Sequence, residues 1–318
     1  MLPDEGSRPD PWARHRPPLQ PSAPPPVPPQ PVGPAHPSGQ PRCYRHPEQE
    51  TGIACTRCGR PICPSCMISA SVGFQCPECV SEGNHGVRTA RTRFGGRPVD
   101  DPALVTKVLI GVNLAVFAVV HLLGYSLVVE LMLVGKAFDQ SGQLIGVATG
   151  PGQWYRLLTA TFLHWDWWHL GLNMLSLWWI GPQLEQVLGR LRYASLYLVS
   201  GLVGSALSFM VAGTSGFSLG ASGAIFGLLG ATVVLHRVSG YPLGPIVALI
   251  VFNLILTFSM SGIDWRAHVG GLVAGGLTAL GMARAPANGR GVVQGASVAA
   301  MVVVAVGLVL VGTALING

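Results

Sequence analysis

The sequence predicts an all-α polytopic membrane protein, in which a six-helix bundle is followed by one additional C-terminal transmembrane helix. Two observations lead to this fold class. Of the 318 residues, 49% are hydrophobic and only 11% are charged, a composition unlike that of a soluble domain. Beyond residue 100, the apolar residues also form segments that are long enough to cross a bilayer.

Composition divides the chain into five predicted segments. They are a disordered Pro-rich tail at 1–41, a cysteine-rich module at 42–82, a basic linker at 83–100, a six-helix core at 101–285 and a further helix at 286–318. The net charge is +6, but the basic residues cluster before residue 100 and at helix ends. Membrane topology explains that distribution, so we expect no nucleic-acid partner.

The tail at 1–41 holds fifteen of the 26 prolines and few large apolar residues. Such a segment cannot bury enough apolar surface to offset its ordering entropy, so we expect it to be disordered. It lacks the apolar core of a signal peptide, which predicts that the N-terminus stays in the cytoplasm. The composition favours a plain spacer, and the alternative is a tether for a cytoplasmic proline-binding partner.

All seven cysteines lie in the module, in pairs of ligands separated by two residues. The four pairs are Cys43 with His46, Cys55 with Cys58, Cys63 with Cys66, and Cys76 with Cys79. Eight such ligands are enough for two closed tetrahedral sites, and their chemistry indicates two structural zinc ions. A disulfide framework is the alternative, but the odd cysteine count, the CxxC spacing and the cytoplasmic location oppose it.

The spacing of these pairs resembles a B-box-type zinc module, in which alternate pairs share a metal. The resemblance implies one ion bound by Cys43, His46, Cys63 and Cys66, and another bound by Cys55, Cys58, Cys76 and Cys79. The chain departs from the pattern at Cys76 and Cys79, where two histidines are usual, which leaves the ligand pairing open. Closed sites predict a role in folding and partner binding rather than in catalysis.

Hydropathy and periodicity predict seven spanning helices. Their ranges are 104–123, 168–188, 192–212, 222–238, 243–260, 266–283 and 292–315. With the N-terminus inside, most of the basic residues that flank the spans lie on the cytoplasmic side. Beyond the linker, the exceptions are Lys136, Arg156 and Arg266, which fall outside. The positive-inside rule favours this orientation. It predicts a multi-pass cell-membrane protein whose zinc module faces the cytoplasm.

On this topology, four polar residues lie at one level in the outer part of the membrane. Ser222 begins the fourth predicted helix, His268 lies near the start of the sixth, and His169 and Asn173 lie in the first turns of the second. Glycine at position 220 lets the backbone bend closely before the serine. Polar groups in hydrocarbon are costly, so they mark functional sites or hydrogen bonds between helices.

Ser222 and His268 are a candidate catalytic dyad. A serine hydroxyl becomes a nucleophile when a base within hydrogen-bond reach accepts its proton, and a buried imidazole suits that role. Serine proteases often add an orienting carboxylate. The nearest candidates, Asp264 and Asp166, lie at loop and helix margins, and we expect the pair to act without either.

Two glycine repeats predict how the dyad comes together. Gly223-x3-Gly227 in the fourth helix and Gly271-x3-Gly275 in the sixth each place a small residue on one helix face at every turn. Such repeats let two helices touch backbone to backbone. We therefore expect these two helices to be in close contact beside the two polar side chains.

The chain from about residue 101 to 285 resembles the rhomboid family of intramembrane serine proteases. Its motifs stand in the family's order and spacing: Trp154-x-Arg156, His164-x4-His169-x3-Asn173, Gly220-x-Ser222-Gly223 and Ala267-His268-x2-Gly271-x3-Gly275. The resemblance implies that Ser222 is the nucleophile and His268 its general base. It also implies that His169 and Asn173 line the oxyanion hole, which Gly220 supports. Where the family often has a tyrosine stacked on the histidine, this chain has Phe226.

The dyad and the resemblance predict a serine endopeptidase that cuts single-pass transmembrane proteins within the lipid bilayer, near its outer face, without a catalytic cofactor. The alternative is an inactive relative acting as a membrane chaperone or sorting factor, which would normally have lost the serine or the histidine. A transporter or channel should show inverted repeats or several buried carboxylates. The sequence shows no such repeat and no Asp or Glu in the middle of a predicted span.

Overall fold

The computed structural model describes residues 39–85, 91–149, 152–260 and 262–318. Apart from residues 39–41, the predicted disordered tail therefore lies outside the described residues. The chain divides into two compact units, one up to Arg88 and the other from Thr89 onward. The division falls inside the predicted basic linker at 83–100.

The first unit is built from very short elements around its cysteines. A 3-10 helix at Pro64–Cys66 precedes an antiparallel pair, β1 (Ile68–Ser69) and β2 (Phe74–Gln75), and the unit ends with α1 (Pro77–Asn84). Among its described residues, Ile62 is the only buried hydrophobic residue that is not a cysteine. A unit of this size with so little apolar core needs another source of stability, typically a metal or disulfides.

The second unit is predominantly helical. Its α-helices are α2 (Leu104–Leu123), α3 (Tyr125–Leu131), α4 (Arg156–Thr159), α5 (Trp167–Leu188), α6 (Arg190–Ala212), α7 (Ser222–Ser239), α8 (Gly244–Ser259), α9 (Trp265–Arg284) and α10 (Arg290–Asn317). The seven long helices match the seven predicted segments, with every end within two residues. Among the described helices, α2, α6, α7 and α10 are long and apolar enough to cross a membrane. The polytopic membrane class is thus confirmed, whereas the six-helix count of the core stays a prediction.

Helices α6, α7 and α9 form the centre of this unit, and α9 packs closely against both of the others. Buried small and apolar side chains such as Leu228 and Ala231 of α7 fill the space between them. Helix α8 lies at the edge, because Ile246 and Thr257 are its only buried residues. Many large apolar side chains on α2, α8 and α10 are exposed, as expected for surfaces that face lipid.

A structured loop joins α2 to α5. It contains α3, the strand β3 (Leu133–Val134), an antiparallel hairpin of β4 (Ala137–Phe138) with β5 (Leu144–Ile145), and α4. Strand β3 pairs antiparallel with β6 (Phe217–Ser218). Because β6 ends just before Gly220, this pairing ties the loop to the segment that leads into α7.

Two buried charged side chains hold the helix ends in place. The guanidinium of Arg156 donates to the carbonyl oxygens of Val129 at 2.7 Å and Met132 at 3.0 Å, which fixes the end of α3. The carboxylate of Glu185 accepts from the backbone N–H groups of Val105 at 2.9 Å and Thr106 at 3.0 Å. A side chain of α5 thereby satisfies backbone donors at the start of α2, which no residue of its own caps.

Candidate active site

Helices α7 and α9 bring Ser222 and His268 into contact. The Oγ of Ser222 lies 2.7 Å from Nε2 of His268, which is hydrogen-bond distance. The His268 side chain is buried, with 6% of the residue exposed. The hydroxyl proton of Ser222 therefore has a direct acceptor in a buried imidazole.

Small residues make this contact possible, as the glycine repeats predict. A Cβ added to Gly271 would overlap the carbonyl oxygen of Gly223, and one added to Gly275 would overlap that of Gly227. A Cβ on Gly223 would approach the carbonyl oxygen of Ala267 to 3.2 Å. The close approach of α7 and α9 is thus confirmed, and it brings their first turns together.

The imidazole of His268 is fixed by two further side chains. Phe226 stacks on its face, with ring centroids 4.2 Å apart and an angle of 13° between the planes. Oγ1 of Thr257, on α8, lies 2.8 Å from Nδ1. Sequence reasoning missed Thr257, because a threonine that bonds to the carbonyl four residues earlier in its own helix looks like an ordinary buried residue.

The two aspartates considered as orienting carboxylates act instead at helix starts. Asp166 accepts from the backbone N–H of His169 at 2.8 Å and caps α5. Asp264 accepts from the backbone N–H of Arg266 at 3.2 Å and caps α9, and it also accepts from the hydroxyl of Ser208. Within the described residues, neither carboxylate hydrogen-bonds the imidazole of His268.

The imidazole of His169 lies beside the loop that carries the serine. Gly220 has φ +128°, and a Cβ added there would lie 2.7 Å from Nε2 of His169 and 3.7 Å from Oγ of Ser222. The Gly220 N–H donates to the carbonyl oxygen of Ala160 at 2.9 Å, which anchors the loop. A residue without a side chain is therefore required at position 220 for both backbone and steric reasons.

Asn173 follows His169 by one turn on the same face of α5. Its amide nitrogen donates to the carbonyl oxygen of His169 at 2.8 Å, which uses one of its two hydrogens. Helix α7 begins at Ser222 without a side-chain cap, so N–H groups of its first turn remain available as donors. An amide, an imidazole and backbone N–H groups at a helix start are the donor types that a developing oxyanion needs.

His164, the first residue of the motif that continues through His169 to Asn173, also belongs to this cluster. Its ring packs edge-on against that of His169, with centroids 5.0 Å apart. Neither ring nitrogen has a hydrogen-bond partner within the described part of the chain. Burial, assisted by the neighbouring His169, lowers the pKa of His164 to about 3. His164 is therefore neutral at physiological pH.

The first unit assembles two groups of metal-ligating side chains. One group comprises Cys43, His46, Cys63 and Cys66, and the other Cys55, Cys58, Cys76 and Cys79; the ligand atoms of each group lie within 4.8 Å of one another. These are the two groups that the alternate pairing of the B-box-type pattern implies. The Sγ atoms of Cys58 and Cys76 are 3.7 Å apart, a separation that suits two ligands of one tetrahedral ion with bonds of about 2.3 Å.

Fold and site together define a polytopic helical membrane protein that holds a serine and a histidine in hydrogen-bond contact inside its bundle. A family model described as the Rhomboid domain matches residues 151–285. The Bacillus subtilis protein YdcA is 34% identical over 140 residues, which cover 42% of this chain and 69% of YdcA. The chain belongs to the rhomboid family.

Two further relatives extend the comparison. Rhomboid protease GluP of Bacillus subtilis is 34% identical over 192 residues, 58% of this chain and 36% of GluP. RHOMBOID-like protein 5 of Arabidopsis thaliana is 35% identical over 170 residues, 50% of this chain and 55% of that relative. The chain thus spans between about a third and two thirds of these relatives. The metal-ligating unit lies outside the Rhomboid match, so its B-box resemblance stays a prediction.

Proposed function

We propose that this protein is an intramembrane serine protease in which Ser222 attacks peptide bonds of transmembrane substrates and His268 is its general base. The 2.7 Å contact between Oγ and Nε2 carries the proposal, because a hydroxyl needs a base at this distance to become a nucleophile. The relatives named as rhomboid proteases support the same reaction class.

In the first half of the reaction, Oγ of Ser222 bonds to the substrate carbonyl carbon while its proton passes to Nε2 of His268. The carbonyl oxygen gains the negative charge, and His169, Asn173 and the N–H groups at the start of α7 are the donors that stabilise it. The helix dipole adds a favourable field at this N-terminus. In comparable proteases, one such donor contributes about 3 to 4 kcal/mol to transition-state stabilisation.

In the second half, the tetrahedral intermediate collapses and the bond to the amide nitrogen breaks. His268 gives its Nε2 proton to the departing amine, which leaves an acyl ester on Ser222. A water molecule then attacks this ester, with His268 again accepting a proton, and the serine is regenerated. The cycle needs no metal or organic cofactor.

The direct test is mutation of each dyad member in the purified protein, with a labelled single-pass substrate in liposomes. Ser222→Ala and His268→Ala should each abolish cleavage, and the double variant should be no worse, because the two residues act as a unit. A fluorophosphonate should label the wild type but not Ser222→Ala. Cleavage by Ser222→Ala at the wild-type rate would overturn the assignment.

The alternative is an inactive family member that acts as a chaperone or sorting factor. The contact between Ser222 and His268 and the stacking of Phe226 on that histidine favour the protease, because an inactive relative has no need to keep this arrangement. Both hypotheses predict substrate binding. Only the protease predicts fluorophosphonate labelling of Ser222, so the same experiment separates them.

We further propose that the N-terminus is cytoplasmic and that the scissile bond lies near the outer membrane face. Ser222, His268 and His169 all lie in the first turn of their helices. In this orientation, the starts of these helices lie near the outer membrane face. A peptide bond inside a helix is shielded from attack. Substrates should therefore carry Gly, Pro or polar residues near the outer end of their transmembrane helix, which unwinds before Ser222 attacks. Mass spectrometry of the products tests this depth: a cut at the cytoplasmic end would refute it.

The two groups of ligands in the first unit are proposed to hold two structural zinc ions. Cysteine thiolates with one histidine are typical ligands of zinc in closed tetrahedral sites. Bound metal would supply the stability that the small apolar core of this unit does not. The unit would then serve as a rigid cytoplasmic surface for a protein partner.

A further inference from the structure

The imidazole of His268 has a neighbour that the proposed mechanism does not use. Thr257 is 4% exposed, and its Oγ1 lies 2.8 Å from Nδ1 of His268, on the side of the ring away from Ser222. It belongs to α8, which otherwise buries only Ile246. The hydroxyl therefore joins an edge helix to the centre of the site.

Counting hydrogens fixes the direction of this bond. The Thr257 hydroxyl has one hydrogen, and its Oγ1 also lies 2.7 Å from the carbonyl oxygen of Asn253. A carbonyl oxygen only accepts, so the hydroxyl donates there. Toward His268 it therefore presents lone pairs, and Nδ1 must carry the hydrogen of that bond.

A neutral imidazole carries one N–H hydrogen. With that hydrogen on Nδ1, Nε2 has a free lone pair, and Nε2 is the nitrogen that faces Ser222. The opposite tautomer would point an N–H at the serine, and it could not accept the hydroxyl proton. Thr257 therefore favours the one neutral form of His268 that is able to act as a base.

We propose that Thr257 is a positioning residue, which holds the tautomer and ring orientation of His268 in the reactive form. The inference rests on the proposed function, in which His268 is the general base. Thr257 occupies the place that an aspartate holds in other serine proteases, while Asp264 and Asp166 cap helices. Its oxygen keeps accepting from Nδ1 after His268 gains the proton of Ser222, so no rearrangement is needed during the step.

The test compares threonines that differ only in this contact. Thr278 and Thr232 are also buried, and their hydroxyls donate to carbonyl oxygens four residues earlier at 2.7 and 2.8 Å. Thr257→Val should lower kcat and the rate of fluorophosphonate labelling roughly three- to tenfold, the effect of losing one neutral hydrogen bond. KM should stay unchanged, Thr257→Ser should restore the rate, and Thr278→Val and Thr232→Val should stay within about twofold.

A second measurement reads the tautomer itself. In 15N NMR spectra of protein labelled with 15N-histidine, the signals of His268 are assigned by comparison with His268→Ala. In the wild type they should show a protonated Nδ1 and an unprotonated Nε2. Thr257→Val should show a mixture of both forms. Equal rates in Thr257→Val and Thr278→Val, or a protonated Nε2 in the wild type, would overturn the proposal. A wild type that cleaves nothing would instead refute the proposed function, and the spectrum would still decide the role of Thr257.

Discussion

At the scale of single residues, the site is shaped by groups that pack against its two imidazole rings. Gly220 lies against the ring of His169, and Phe226 covers one face of His268. Each of these contacts fixes an imidazole without itself taking part in proton transfer. Their loss should therefore change rates more than it changes folding.

Gly220→Ala is the sharpest steric test of this cluster. The new Cβ would meet Nε2 of His169 at 2.7 Å, at a residue whose φ of +128° already disfavours a side chain. We expect cleavage to fall by at least about a hundredfold, the cost of losing an oxyanion donor. Gly142→Ala controls for backbone strain, because Gly142 has φ +78° with nothing near its Cβ position. Equal activity of the two variants would contradict the assigned position of His169.

Phe226 tests how much the ring stacking contributes. Aromatic pairs are worth about 0.5 to 1.5 kcal/mol beyond their buried area. Phe226→Leu should therefore reduce kcat by roughly two- to tenfold with KM unchanged. Phe226→Tyr keeps the ring face and should stay near the wild-type rate in the same cleavage assay. A Leu variant as active as the Tyr variant would show that stacking does not position His268.

The motifs made Ser222 and His268 predictable as a pair, because each residue lies in the first turn of an apolar helix and is followed by glycines that allow the two helices to touch. Thr257 could not be predicted in the same way. Its contact depends on how α8 lies against α9, and a threonine in an apolar helix is usually bonded to its own backbone. The helix-capping roles of Asp166 and Asp264 depend likewise on where each helix begins.

At the scale of elements, helix ends are held by side chains from other helices. The buried carboxylate of Glu185, on α5, replaces the missing cap of α2 through two backbone N–H groups and the hydroxyl of Thr106. The guanidinium of Arg190 is 4.0 Å away. The start of α2 is thereby coupled to the C-terminal end of α5.

Glu185→Gln should destabilise the helical unit, because an amide places a donor where backbone N–H groups need an acceptor. We expect a loss of about 1 to 3 kcal/mol in unfolding free energy, measured by denaturation in detergent micelles. Glu130→Gln removes the same charge from an exposed position in α3 and should be nearly neutral. Comparable stability of both variants would show that the Glu185 carboxylate is not an essential cap.

Long elements were predictable and short ones were not. The seven long helices end within two residues of the predicted positions, since hydropathy and flanking charges mark them in the sequence. The two-residue strands β3 and β6 carry no such signal. Their pairing joins residues more than eighty positions apart, so only the folded chain reveals it.

At the scale of the whole molecule, the two units differ in the extent of their apolar cores. The helical unit buries a broad apolar core, whereas the described part of the first unit buries little besides its cysteines. If the first unit holds zinc as proposed, loss of the metal should unfold that unit alone.

Metal analysis of the purified protein should return about two zinc ions per chain, as two four-ligand sites require. A strong chelator should unfold residues 43–79, detected by new thiol reactivity, while Ser222 still reacts with a fluorophosphonate. Cys58→Ser should reproduce this partial unfolding. Protein without zinc that keeps its thiols protected would refute the metal sites, and loss of labelling on chelation would refute the independence of the units.

The order of the dyad along the chain has a consequence for biosynthesis. Ser222 and His268 are separated by 46 residues, with all of α8 between them. At synthesis rates of about 5 to 20 residues per second, the ribosome needs several seconds to extend the chain from the serine to the histidine. On the proposed mechanism, a nascent chain that lacks α9 carries a nucleophile without its base. Chains that end before α9 are therefore inert, and the membrane acquires proteolytic activity only after α9 has been made.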